Sequence, residues 1–159
     1  MTKSRHILGL LLALAVTFAA AGIGSVFTSP SVGDWYQALA KPSWTPPGWL
    51  FGPVWTVLYT LMAVAAWLVW REGGWRKARL ALSLYAGQLA LNAAWPAIFF
   101  GARMPGPAFV ELVLLWLAIV ATTAAFFRRT AAAGVLMLPY AAWTTFAGML
   151  NFALWRMNG

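Results

Sequence analysis

The sequence predicts an all-α fold: an integral membrane bundle of five transmembrane helices with a long loop between the first and second. Three observations lead there. Hydrophobic residues make up 62% of the 159-residue chain. Charged residues make up only 9%, against roughly 25% in an ordinary soluble domain. The few charges fall almost entirely between five long apolar runs. A soluble core of this length cannot hide so much apolar surface, whereas lipid does not penalise an apolar exterior. A span takes about 20 residues, so five take roughly 100; the remainder is too scattered to form a soluble domain. Residues 1–159 therefore read as one transmembrane domain. Intrinsic disorder is excluded, because it needs low hydrophobicity and high charge.

The spans follow in order. No charge occurs between His6 and Asp34, and Ile7–Phe27 makes the first. Lys3, Arg5 and the later Ala19-Ala20-Ala21 also fit a signal peptide, but the apolar run is about twice a usual signal core, which favours a retained helix. Thr28–Gly52 is the longest stretch expected to be non-helical, with Pro30, Pro42, Pro46, Pro47, Trp35, Tyr36, Trp44 and Trp49. Proline-rich backbone cannot cross lipid unsatisfied. The stretch reads as an aromatic lid over the bundle mouth or as an interfacial aromatic belt. Pro53 can open the second span at its first turn, and that span runs to Trp70. The third is Leu80–Phe100, kinked or weakened near Pro96; the fourth is Ala108–Phe127; the fifth is Ala131–Trp155, with a kink expected at Pro139.

Charge sets orientation and narrows the chemistry. Lys3, Arg5, Arg71, Arg76, Lys77, Arg79, Arg128 and Arg129 fall on the N-terminal side, against Lys41, Arg103 and Arg156 on the other. The positive-inside rule then puts the N-terminus on the cytoplasmic side of a plasma membrane. A net charge of +8 in short gaps between apolar runs points to anionic lipid rather than nucleic acid. Cysteine is absent and His6 is the only histidine. Disulfides, thiolate chemistry, histidine-ligated metals and His-based triads therefore lack material, and no metal or required cofactor is expected.

At 100° per residue, Tyr85, Gln88, Asn92 and Trp95 share one sector of the third span, with Ala86, Ala90, Ala93 and Ala97 opposite. Amides in a span face the bundle interior, either lining a ligand site or tying helices together. The alanine face permits close helix contact, such as a homodimer interface. In the fifth span Tyr140, Trp143, Ala147, Leu150, Asn151 and Leu154 share a face, and Ala147 leaves space for a flat apolar guest or for ordinary aromatic packing. Glu111 is the only acid inside a span. It is expected to pair with Arg103 at the membrane boundary, because a proton relay has no second station.

Three blocks carry a resemblance: WYQALAKPSWTPPGWLFGPVWTVLY (Trp35–Tyr59), GQLALNAAWPAIFFGAR (Gly87–Arg103) and PYAAWTTFAGMLNFALWR (Pro139–Arg156). Their order and spacing, with five spans, resemble the translocator proteins, also called tryptophan-rich sensory proteins or peripheral-type benzodiazepine receptors. The resemblance implies a five-helix bundle with a pocket beneath the first long loop. It implies binding of porphyrins such as protoporphyrin IX and related tetrapyrroles, of sterols, and of isoquinoline or benzodiazepine ligands. By motif position it implies that Trp55 and Trp143 serve porphyrin binding or breakdown. Trp44, Trp49, Phe51, Asn92, Trp95, Ala147 and Leu150 complete the expected ligand-binding set. The sterol pattern reads Leu150, Phe152, Arg156, with Phe152 where the pattern has tyrosine. Pro107 stands where animal members carry a pocket tryptophan.

Three functions follow as expectations. The first is a tetrapyrrole-binding membrane protein acting in transport, sensing or stress response, with ligand carboxylates near Lys41 or Arg103. The second is a porphyrin-degrading enzyme using Trp55 and Trp143. The third is a cholesterol or lipid transporter. The expected location is a bacterial membrane, or the mitochondrial outer membrane in a eukaryote.

Overall fold

The computed structural model describes residues 2–159 and contains helices and connecting loops, with no strand among the described residues. Five long helices and one short helix follow in order: α1 (Lys3–Val32), α2 (Trp35–Ala38), α3 (Gly48–Arg71), α4 (Gly74–Pro96), α5 (Pro105–Phe127) and α6 (Ala131–Asn158). The long helices alternate in direction. They close into a ring in the order α1, α3, α6, α5, α4, each packed on its neighbours, and α3 also touches α4. The eight basic residues of the N-terminal side thus gather at one end of the bundle, and α2 and its loop sit at the other.

Four of these helices, α1, α3, α5 and α6, are long and apolar enough to cross a membrane. The fifth, α4, carries Arg76, Lys77 and Arg79 in its opening turns and Gln88 and Asn92 further on, which lowers its hydropathy. It completes the ring by packing against α1, α3 and α5. The chain is an integral multi-pass membrane protein.

Several boundaries differ from the sequence reading. The first helix extends to Val32, so Pro30 lies inside it and the non-helical stretch is far shorter than residues 28–52. The Thr28 hydroxyl back-bonds to the Gly24 carbonyl (3.0 Å), and the Ser31 hydroxyl donates to the Phe100 carbonyl (2.9 Å), fastening this end to its neighbour. Asp34 then caps α2 by accepting from the Trp35 N–H. Pro53 does not open the second long helix. Extended Pro47 precedes α3, and Pro53 falls inside it. The α3–α4 connection is tight because Gly73 (φ 151°) and Gly74 (φ 70°) both take positive φ, which side chains disfavour. Pro96 does not break α4; the helix widens into a π-helical turn over Ala97–Gly101, a local form often found at functional sites. Pro105 opens α5 at a position where a missing N–H costs no helical bond.

Glycines bring aromatic rings against backbone at the helix ends. A Cβ on Gly9 would collide with Trp70, and one on Gly134 with Phe127. Where such contacts are absent, as along much of α1, residues face outward: Leu8, Leu12 and Val26 are all exposed.

Candidate ligand-binding cavity

The loop end of the bundle encloses a cavity of about 550 Å³. Phe18, Ala21, Ser25 and Thr28 of α1 form one wall, and Trp55 and Tyr59 of α3 the next. Asn92, Trp95 and Phe99 come from α4 and the π turn, Leu112 and Leu115 from α5, and Trp143, Ala147, Leu150 and Leu154 from α6. Tyr36, Gln37 and Phe51 complete it toward the loop. The lining is predominantly aromatic and aliphatic, the usual make-up of a small-molecule site.

Ring packing fixes the walls. Trp55 lies 5.6 Å from Tyr59 and 6.3 Å from Tyr140. Trp95 stacks on Phe99 at 4.8 Å, and Phe51 meets Trp143 edge-on at 5.9 Å. Below them runs a buried chain of hydrogen bonds with one direction. The Tyr59 hydroxyl donates to Asn92 Oδ1 (2.5 Å), Asn92 Nδ2 to the Tyr140 hydroxyl (2.6 Å), and the Tyr140 hydroxyl to Gln88 Oε1 (2.9 Å). Gln88 Nε2 ends the chain at the Met62 thioether, 3.8 Å away. A second pair joins helices: Trp95 Nε1 donates to Asn151 Oδ1 (2.9 Å), and Asn151 Nδ2 donates to the Pro105 carbonyl (2.8 Å). Asn92 and Asn151 are thereby committed within the protein. Trp143 contributes its ring, while its Nε1 is enclosed and has no partner among the described residues.

Of the residues singled out in the sequence, Phe51, Trp55, Asn92, Trp95, Trp143, Ala147 and Leu150 all line this cavity. Trp44 and Trp49 do not. Trp44 packs edge-on against Phe146 at 5.8 Å, and Trp49 is 73% exposed. Tyr85 and Gln88 share the phase of Asn92 but are buried at other levels; the Tyr85 hydroxyl pairs with Thr17 of α1 at 2.6 Å. In the sterol pattern, Leu150 faces the cavity while Phe152 and Arg156 are exposed. On the alanine face Ala86 and Ala90 are exposed, whereas Ala93 and Ala97 are half-buried.

The expected Glu111–Arg103 pair is absent. Arg103 holds a positive φ of 56° just before α5. It turns toward α2, 3.8 Å from Asp34 and over the Trp35 ring at 6.0 Å. Glu111 is buried on α5, and neither carboxyl oxygen has a partner among the described residues. Lys41 folds back on its own loop, donating to the Gln37 and Leu39 carbonyls (3.1 Å each) above the Tyr36 ring. Burial pushes the Tyr36 hydroxyl above its ordinary pKa.

A profile of the TspO/MBR family matches residues 12–156. The chain belongs to the TspO/MBR family. Its relatives span kingdoms. It is 49% identical over 138 residues to the translocator protein of Homo sapiens, covering 86% of this chain and 82% of that protein. It is 41% identical over 157 residues to the tryptophan-rich protein TspO of Chlorobaculum tepidum, covering 98% and 99%. It is 42% identical over 149 residues to the tryptophan-rich sensory protein of Cereibacter sphaeroides, covering 92% of each. In this TspO/MBR member the three sequence blocks converge on one place: α2 with the start of α3, the end of α4, and α6 all meet at the cavity.

Sequence reasoning missed the α1 wall and the α5 residues Leu112 and Leu115. Small residues at Ala21, Ser25 and Thr28, spaced by three and four, were the available signal on α1. On α5 the lining leucines are indistinguishable by type from those that face lipid.

Proposed function

We propose that this TspO/MBR member binds a flat, largely apolar tetrapyrrole of the protoporphyrin IX class in the cavity at its loop end, for transport, sensing or stress response. The observation that supports this is the cavity itself. Trp55, Trp95 and Trp143 line about 550 Å³ of mostly apolar space. The amides nearest to it are already hydrogen-bonded to the protein. Such a lining suits a guest that stacks rather than one held by many polar contacts. Ligand carboxylates would lie toward the mouth, where Lys41 and Arg103 provide positive charge.

A second reading is porphyrin breakdown. It is favoured by Trp55, a cavity-lining residue, standing within ring contact of two tyrosines, Tyr59 of the lining and the buried Tyr140 behind it. A sterol or a benzodiazepine-type ligand is a third kind of guest for the same space.

Titration of protoporphyrin IX into the protein in lipid nanodiscs tests the first reading. Saturable quenching of tryptophan fluorescence is expected, and Ala147→Phe should weaken it by filling the space between Trp143 and Leu150. Unchanged affinity in a folded Ala147→Phe variant removes this cavity as the site. Dark and illuminated incubations separate binding from breakdown: loss of porphyrin absorbance with a new product indicates chemistry. Trp143→Phe should then reduce conversion more than binding. Competition by cholesterol addresses the sterol guest.

A further inference from the structure

The segment that joins α2 to α3 is hydrogen-bonded to the far end of α6 through the side chain of Asn158, and Leu39 in the same segment packs into the cluster that holds Leu150 and Leu154. Asn158 Oδ1 accepts from the Ala40 N–H (2.9 Å), and Asn158 Nδ2 donates to the Ala40 carbonyl (3.0 Å). The two bonds form a closed pair that reads backbone alone, as a neighbouring β-strand would. A third bond from Nδ2 to the Leu154 carbonyl (2.8 Å) holds the amide on α6, and Leu154 lines the cavity. A ring contact, Trp44 edge-on against Phe146, also joins this stretch to α6. On either side of the fastened stretch stand cavity-lining residues: Tyr36 and Gln37 before it, Gly48 and Phe51 after it.

We propose that Asn158 is a latch: its paired bonds to Ala40 hold the α2–α3 segment down, and their breaking sets how fast water-borne molecules reach the cavity. The physical setting fits a reversible catch. Ala40 and Asn158 are both exposed, so water can replace each bond, and exposed hydrogen bonds are individually weak. A buried pair would lock; an exposed pair opens and recloses. The latch is indifferent to which guest the cavity takes.

The chain has no cysteine, so a single reporter thiol is clean. Ala147→Cys places it in the cavity, and the probe is sulfonatoethyl methanethiosulfonate, whose charge bars the route through lipid. In nanodiscs, adding Asn158→Ala should raise the labelling rate about tenfold, as loss of two exposed bonds predicts. Hydrogen exchange at the Ala40 amide should rise by a similar factor. Met157→Ala, one residue away, should change neither. Asn158→Gln keeps the amide but shifts it by a methylene, and should resemble Asn158→Ala; it serves also if that variant folds poorly. Unchanged labelling in both Asn158 variants, or Ala40 exchange that stays at the parent rate, overturns the latch. Neither measurement contains porphyrin, so failure of porphyrin to bind leaves this test intact.

Discussion

Replacing Asn92 by leucine should expose the cooperative character of the buried chain beneath the cavity. Asn92 accepts from Tyr59 and donates to Tyr140, so the substitution removes two interhelical hydrogen bonds, one to α3 and one to α6. Interhelical bonds in membrane proteins contribute on average about 0.6 kcal/mol each and up to roughly 1.7. The two therefore sum to about 1–3 kcal/mol. The losses are unequal. Tyr140 still donates to Gln88, whereas Tyr59 is left with a buried donor and no acceptor, a further desolvation cost of about 1–3 kcal/mol where it finds none. Tyr59→Phe alone should cost about 0.5–1.5 kcal/mol. In the Asn92→Leu background it should cost nothing, or restore stability, because it removes the orphaned hydroxyl. Reversible unfolding in mixed micelles, followed by tryptophan fluorescence, measures all four corners of this cycle. Contacting residues typically couple by about 0.5–3 kcal/mol. If Tyr59→Phe costs the same in both backgrounds to within about 0.3 kcal/mol, the bond between them contributes nothing and the reasoning fails.

Three further outcomes are expected. Glu111→Gln should leave the melting temperature unchanged or raise it, since the carboxyl oxygens have no partner to lose and an amide avoids burying a charge; a fall of more than a few degrees would reveal a partner. Gly134→Ala should destabilise by about 1–2 kcal/mol, because overpacking against the Phe127 ring outweighs the roughly 1 kcal/mol gained in helix propensity; Phe127→Ala in the same chain should recover the loss. If α4 mediates self-association through its exposed Ala86 and Ala90, Ala90→Leu should weaken it; a parent chain that cross-links only as monomer in native membranes refutes that interface.

What the sequence made legible depended on contrast along each helix. The α6 face from Trp143 to Leu154 stands out because an amide, an alanine and aromatic residues recur at helical spacing, and every member from Trp143 onward reaches the cavity. Asn92 and Trp95 were readable for the same reason. Proline was a poorer guide. Pro30 and Pro53 both sit inside long helices, since membrane helices tolerate proline where neighbouring groups satisfy the freed backbone. This is why the expected 25-residue loop shrank. Direction was not legible at all for Arg103. Its distance along the chain from Glu111 suggested a pair, but its positive φ turns it to Asp34 on α2. Trp49 shows the limit of residue type: its ring was assigned to the pocket by motif, yet it points outward at the start of α3.

α1 is sparsely rooted. Only Thr17, Ala20, Gly24 and Ser31 along its thirty residues are buried, yet Phe18, Ala21, Ser25 and Thr28 form a wall of the cavity. A guest resting there touches α1 on one side and α3 and α6 on the other, so it acts as mortar for the helix with the least core of its own. Filling the cavity and seating α1 become a single equilibrium, and linkage makes the effect reciprocal. Whatever loosens α1 must cost affinity, even from a distance. Thr17 belongs to no part of the cavity lining, but its hydroxyl pair with Tyr85 is a buried side-chain hydrogen bond between α1 and α4. Cutting that tie with Thr17→Val should therefore be felt as weaker guest binding in a titration, although no residue of the cavity lining has changed.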